Sequence, residues 1–492
     1  MKPQRWASLA LLGIGTALLL VLAVGWARGN PAQLAHTYLP LTEQQNVTVA
    51  VTATTTASAT ATASATATAS ATATATASAT TVPSVSTPTP TVTLTPGATG
   101  ANYNLLVGPG YTDVSPKALV RTSGNRLYIV VSTCEQYPCT AVGQALRVYR
   151  AASTGVPTSF TLVDQGQAPV GVSQWAVAID GSDTLHVVWN DRPTDGANLL
   201  NLRYTTFATT TDTWSSKSET LETPLDLALD SGGQGIQSVA LALDARGTPF
   251  VVYLKGSGPN RRVFLRSREG GGWSAATPID AGVPYVNNQK AWHPNLAFDP
   301  TGRLLVVWLC GSFNGDNDGT LFSRVRATDG TWGDPLKVSG ANAARVTIDQ
   351  STSLLVTPDS RYHLTWISAQ TDSIRYQYSD DNGQTWSSND PGAGLQATHN
   401  PALGYAAGKL RIYGHGSPVP APDGHGENIY AFEGLGGPAA WGSWTQFVTG
   451  TNYDSSVNVR WAQFFFAFPN TIDLAYWNDT YPNILYAGTD VR

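Results

Sequence analysis

The residues in this sequence best suited to chemistry are aromatic rings set beside polar side chains. The triplet Trp-Asn-Asp occurs twice, at 189–191 and 477–479, and tryptophan adjoins a nitrogen base at Trp292-His293 and Arg460-Trp461. An indole face stacks on the apolar C–H face of a sugar ring, while Asn, Asp, Arg and His offer paired donors and acceptors to its hydroxyls. On that chemistry the expected ligand-binding residues are Trp175, Asn190, Trp292, His293, His399, His415, Trp461, Asn478 and Asp479. The competing reading is that each is an ordinary rim residue bracing a loop. His293, His399 or His415 beside a tyrosine would also suit the proton transfers of a polysaccharide lyase or glycosidase. Asn314, Asp316 and Asp318 place oxygen ligands at alternate positions before Gly319, like the opening of a calcium loop. Val325 stands where the bidentate glutamate of such a loop belongs, so a plain polar turn competes with calcium, the one cofactor suggested.

What must position these residues is a repeat. "DGSDTLHVVW" (180–189), "DARGTPFVVY" (244–253), "DPTGRLLVVW" (299–308) and "TPDSRYHLTW" (357–366) are copies of one unit. Weaker copies are "RTSGNRLYIV" (121–130), "YAAGKLRIYG" (405–414) and "FPNTIDLAYW" (468–477). Each reads as a strand, a tight turn and a second strand rich in β-branched and aromatic residues, and a third strand such as "NLRYTTF" or "SIRYQYS" comes next. No amphipathic helical pattern intervenes. Seven copies at intervals of 48 to 64 residues predict an all-β chain, a seven-bladed β-propeller over 101–492, with six blades as the alternative. After Trp477 only a third strand remains, so "NYNLLVG" (102–108) is expected to supply the last blade's outer strand and fasten the ring. Successive antiparallel strands put the repeat turns on one face of the ring, and the candidate binding residues on the other.

One turn is complete in a further sense. "SDDNGQTW" (379–386) resembles the Asp-box of sialidase-type (BNR-repeat) propellers, Ser-x-Asp-x-Gly-x-Thr-Trp, through Ser379, Asp381, Gly383, Thr385 and Trp386. "ATDGTW" (327–332), "EGGGW" (269–273) and "TTDTW" (210–214) are shorter forms. The resemblance implies a propeller in which these residues are structural, Gly383 taking a positive φ and Trp386 packing at the foot of a hairpin. It also implies a search for sialidase chemistry: three arginines on a substrate carboxylate, a tyrosine nucleophile paired with a glutamate, and an aspartic acid/base. Carried onto this chain, the trio would be Arg192, Arg345 and Arg460, with Asp191 as acid and Tyr285 as nucleophile. The family's Phe-Arg-Ile-Pro motif is missing; Arg121 and Arg126 lie at a repeat turn instead. The departure favours a glycan-recognising surface propeller over a sialidase. An exo-sialidase or other glycoside hydrolase, a lyase, and a protein-interaction scaffold are the alternatives, and the sequence leaves open whether the chain is an enzyme.

The rest of the chain concerns display. Residues 6–26 carry no charge and come after Lys2 and Arg5, which predicts a signal-anchor or signal peptide over 1–28 and export of the remainder of the chain. Residues 29–100, dominated by Thr, Ala and Ser with Pro near the end, cannot bury an apolar face and predict an unfolded linker. The expected location is therefore the cell surface or the extracellular space, with the membrane and a surface polysaccharide or other glycan as partners. Charged residues are 13% of the chain and the net charge is −5, which gives no basic footprint for nucleic acid. Cys134 and Cys139 could pair in an oxidising compartment, leaving Cys310 odd, and there is no CxxC metal pair.

Overall fold

The computed structural model describes residues 102–109, 119–133, 144–166, 168–191, 200–227, 238–285, 289–312, 319–339, 352–368, 373–388, 395–406, 408–418, 428–433, 441–442, 445–446, 459–465, 471–478 and 483–490. The expected anchor, the linker and the Cys134/Cys139 pair lie outside them. No helix among the described residues is long and apolar enough to cross a membrane.

These residues form an all-β propeller of seven antiparallel sheets, six of four strands and one of five. Each repeat copy supplies the second strand of one sheet. Sheet 1 runs through Leu119–Arg121, Arg126–Thr133, Ala145–Thr154 and Phe160–Leu162, and sheet 2 through Val172–Ile179, Thr184–Asp191, Asn201–Ala208 and Glu219–Glu222, with Thr213–Trp214 beside its third strand. Sheet 3 begins at Val239, sheet 4 at Lys290, sheet 5 at Ser353, sheet 6 at Leu395 and sheet 7 at Val459. The first strand of each sheet touches that of the next, and the first strand of sheet 7 touches that of sheet 1.

The core lies between neighbouring sheets rather than inside one. Both faces of a second strand are therefore covered, and Leu304–Gly311, "LLVVWLCG", is buried at every position. The third strand Arg262–Ser267 alternates between buried and half-buried, because only one of its faces is closed. Apolar clusters join sheets 1 and 2 through Val130, Val148, Trp175 and Trp189, and sheets 5 and 6 through Tyr376 and Ile412.

The turns explain the repeat's polar residues. Asp180 Oδ1 accepts the backbone N–H of Ser182 and Thr184, both at 2.9 Å. Asp244 does the same for Arg246 and Thr248, and Asp299 for Thr301 and Arg303. The fourth turn position has positive φ in every one of these copies: Asp183 (61°), Gly247 (79°) and Gly302 (90°), with Asn125 (61°) and Ser360 (67°) matching. The Asp-box is built in the same way. Asp381 Oδ1 accepts from Thr385 N and Ser379 Oγ at 2.8 Å each, Oδ2 accepts from Thr385 Oγ1 at 2.6 Å, and Ser379 Oγ accepts from Gly383 N at 2.8 Å. Gly383 sits at φ 82°, where an added Cβ would lie 3.1 Å from Val325 of sheet 4.

Two devices close the ring. Asn102–Pro109 pairs antiparallel with Asn483–Asp490, so the outer strand of sheet 7 comes from the other end of the propeller. Further in, Arg121 of sheet 1 grips Asp473 of sheet 7 with Nε–Oδ2 at 2.7 Å and Nη2–Oδ1 at 2.5 Å, both side chains fully buried. Tyr486 donates to the same carboxylate at 2.7 Å, and the remaining guanidinium nitrogen donates to the carbonyls of Asn125 and Gly155. Burial, then the adjoining carboxylate, hold the Tyr486 hydroxyl well above its usual pKa, so it remains a donor. Removing one member of such a buried pair strands the other charge, at a cost of about 3–5 kcal/mol, whereas replacing both by apolar groups costs less. Asp473→Ala should therefore lower the unfolding midpoint more than the double change Arg121→Met/Asp473→Leu; thermal denaturation of the three proteins decides, and equal midpoints would contradict the clasp.

Candidate functional site

The candidate residues gather at the end of the ring where first strands begin and second strands finish. In sheet 6, His399 is the direct cross-strand partner of His415. In sheet 7, Arg460 lies opposite Trp477 and Asn478 opposite Val459. Trp461 falls where the ladder skips between Arg460 and Gln463. These are strand positions, and the topology brings them to one end of two adjacent sheets.

The first-strand ladders of four sheets are interrupted toward this same end, while those of sheets 1, 3 and 5 run without a break. Register shifts fall between Val172 and Gln174 in sheet 2, between Trp292 and Asn295 in sheet 4, between His399 and Ala402 in sheet 6, and between Arg460 and Gln463 in sheet 7. The interruption carries His293-Pro294 in one sheet and Asn400-Pro401 in another. Proline cannot donate to a ladder, so it is tolerated at such a break. His293 takes φ 45°, a left-handed conformation uncommon for a residue other than glycine. Bulges of this kind re-aim side chains and concentrate beside functional sites.

Sheets 2 and 4 depart from the expectation. Trp175 and Trp292 are enclosed, at 2% and 0% exposure, and neither offers a face to a sugar. The reason is their place on innermost strands, which neighbours cover on both sides. Trp175 donates its indole N–H to the Val130 carbonyl at 3.2 Å and so ties sheet 2 to sheet 1. Trp292 donates to Gly311 O at 2.9 Å, and its ring holds the Arg261 guanidinium at 3.9 Å and the Lys290 ammonium at 4.8 Å from its centroid. It is a seat for two cations. His293 is buried beside it, and Asn190 is buried and donates to Ser238 Oγ, just before sheet 3.

Of the catalytic candidates, Asp191 and Tyr285 each have a partner of their own. Asp191 is bound by Arg203 and accepts from Asn201 at 2.7 Å. The Tyr285 hydroxyl donates to Asp280 at 2.6 Å under the Arg262 guanidinium. Burial and then Asp280 push its pKa up, the opposite of what a tyrosine nucleophile needs. Arg121 is taken by the ring clasp. Arg192, Arg345, Asp479 and the calcium candidates Asn314, Asp316 and Asp318 lie outside the described residues. Among the described residues no cluster of three His, Cys, Asp or Glu is placed to hold a metal ion, and the buried Cys310 thiol donates to Gln289 Oε1 at 3.6 Å.

Two buried histidines lie outside the sequence-based expectations. His186 Nδ1 meets Tyr204 Oη at 2.6 Å with Nε2 3.2 Å from Asp180, and His363 Nδ1 meets Tyr376 Oη at 2.6 Å with Nε2 3.0 Å from Thr357. The sequence does carry their signal: both histidines hold the same repeat position, and both tyrosines come directly after an arginine in the third strand. They brace the turn end of sheets 2 and 5.

Neither a family model nor a curated protein matches the sequence. Solved structures do resemble the fold. The polysaccharide lyase Uly1 is 12% identical over 79% of this chain and 92% of its own, with a TM-score of 0.49. The BP39L lectin from Burkholderia pseudomallei is 15% identical over 77% and 97%, TM-score 0.46. The intramolecular trans-sialidase from Ruminococcus gnavus is 10% identical over 80% and 99%, TM-score 0.42. At this similarity the activities of those proteins say nothing of this one.

Burial lowers the pKa of His363 to about 4, from an ordinary value near 6.5. The unfolded chain then binds the proton more readily than the folded one, so the stability held by neutral His363 is complete above pH 6.5. It is lost as the pH falls toward 4. His363→Gln should remove about 1.4 kcal/mol per pH unit from the slope of stability in that window. Denaturant unfolding at pH 7, 6, 5 and 4 would show it, and identical slopes in the two proteins would refute it.

Proposed function

We propose that this propeller is a glycan-recognition module displayed outside the cell, working without sialidase chemistry. Its ligand-facing end is the one where the first strands begin, with sheets 6 and 7 at its centre. The observation that carries this reading is the set of breaks in the first-strand ladders. They occur at one end only of the described first strands, and they coincide with His399, Arg460 and Trp461. At the opposite end the repeated turn carboxylates of Asp180, Asp244 and Asp381 are committed to their own turns, and that commitment helps hold their pKa values low against the raising effect of burial. That end is a structural repeat, whereas the broken end varies from sheet to sheet as a binding surface must.

Recognition without turnover is the better-supported form. The candidate nucleophile Tyr285 is held protonated, and the candidate acid Asp191 is neutralised by a guanidinium and faces sheet 1 rather than the axis. The uncharged stretch 6–26 and the Thr/Ala/Ser linker fit a role in holding the ring away from a membrane.

Titration of the full-length protein against sialylated, uronic-acid and neutral oligosaccharides, followed by NMR, tests the reading. The wild type should show ligand line broadening without new product signals, and His415→Ala and Arg460→Ala should each weaken binding at least tenfold without moving the unfolding midpoint. Product signals would replace the binder with an enzyme, and silence across the panel would refute glycan recognition for those sugars. Cell fractionation should place the intact chain with membranes and a chain lacking residues 1–28 in the soluble fraction; the reverse would remove the anchor.

A further inference from the structure

The cleft between sheets 1 and 2 holds a cavity of about 180 Å3 that the axial site does not use. There the segment connecting sheets 1 and 2 (Pro169, Val170), bridged to Ala145 of sheet 1, faces the second and third strands of sheet 2. Strand alternation decides its lining. Trp189 and Asp191 project from one face of the second strand, and their neighbours Arg203 and Thr205 from the same face of the third. Val188 and Asn190, one residue over, turn to sheet 3 instead.

The chemistry of this lining is specific. Asp191 and Arg203 form an ion pair, so the cavity carries both signs and no net charge. The carboxylate only accepts and the guanidinium only donates. Arg203 gives one N–H to Asp191 and one to Thr220 Oγ1, which leaves three of its five N–H donors without a partner among the described residues. The Ser216 and Ser218 hydroxyls add adaptable donors and acceptors at the mouth, and Pro169 and the 63%-exposed Val170 form an apolar wall. Trp189 closes the inner side; it is 3% exposed, and its indole N–H has no partner among the described residues.

We propose that this cleft binds a single neutral hydroxyl-rich ring, a hexopyranose or deoxyhexopyranose unit, at a site separate from the axial end. A vicinal diol can donate one hydroxyl to Asp191 while the other accepts from Arg203, and the ring's C–H face lies on Pro169 and Val170. A carboxylated or phosphorylated sugar is disfavoured here, because Asp191 already compensates the guanidinium charge and repels a second anion. The volume is below the roughly 300–1,000 Å3 of pockets for larger ligands, which limits the occupant to one ring. The site does not depend on the axial reading, since the two share no liganding side chain.

The test is calorimetric and NMR titration of the full-length protein with the methyl glycosides of glucose, galactose, mannose, fucose and glucuronic acid. At least one neutral glycoside should bind, with glucuronic acid at least tenfold weaker. Ser216→Trp, which fills the mouth without touching the ion pair, and Arg203→Met should each weaken that binding at least tenfold. Asp381→Ala, at the far end of the ring, should leave it unchanged. The proposal is overturned if Ser216→Trp binds as the wild type, if the glucuronide binds best, or if no monosaccharide binds. Retained oligosaccharide binding in that last case would leave the axial reading standing, as would a monosaccharide affinity lost in His415→Ala but kept in Ser216→Trp.

Discussion

Closure of the ring is the constraint on which everything else here depends. A propeller sheet cannot cover its own two faces; each buries them against its neighbours, so an open ring would expose the sides of its first and last sheets. The chain meets at that seam twice. Backbone pairing of Asn102–Pro109 with Asn483–Asp490 removes a sheet edge, and the buried Arg121–Asp473–Tyr486 group joins sheets 1 and 7 nearer the turn end. A buried ion pair adds little net stability over an apolar pair of the same shape. Its role at a seam is better understood as register: one guanidinium, one carboxylate and one phenol fit in a single alignment, while sliding apolar faces would not.

The two ends of the ring show a division of labour that comes from strand direction. At the turn end, carboxylates accept backbone N–H groups of their own turns and a residue with positive φ reverses the chain. The His186–Tyr204 and His363–Tyr376 pairs stiffen the same end. At the other end the ladders break, and the breaks carry histidine, proline, arginine and tryptophan. Regularity where the fold is held and irregularity where it meets a partner is the pattern expected of a scaffold bearing a site.

The aromatic residues correct a tempting inference. Tryptophan beside histidine suggests a platform for sugars, yet Trp292 is sealed in the wall and holds Arg261 and Lys290 against its ring. Trp273 of sheet 3 packs edge-on to Tyr204 of sheet 2, and Trp441 of sheet 6 to Tyr376 of sheet 5. In this fold many large rings join one sheet to the next. The tryptophan after a third-strand turn is that kind of fastener, which is why a tight polar turn ends in an indole.

Much of the fold was legible without coordinates. The repeat with its Asp turns, the continuous apolar second strands and the complete Asp-box specify antiparallel sheets, because local backbone chemistry and strand periodicity are properties of short stretches of chain. Even the closing strand could be read, from a third strand left without an outer neighbour. The site was legible only as a set of positions at one end of the ring. Whether Trp175, Trp292 and Asn190 face solvent or a neighbouring sheet depends on which sheet lies beside them, and no local pattern carries that. The same holds for Asp191, whose partner Arg203 is 12 residues away and whose cavity is walled by Pro169 and Val170 of the segment connecting sheets 1 and 2. The sequence by itself determined the strands, the turns and their order. The tertiary structure alone decided which side chains the ring closes over and which it leaves for a ligand, because burial is a property of surfaces that meet only when the ring is complete.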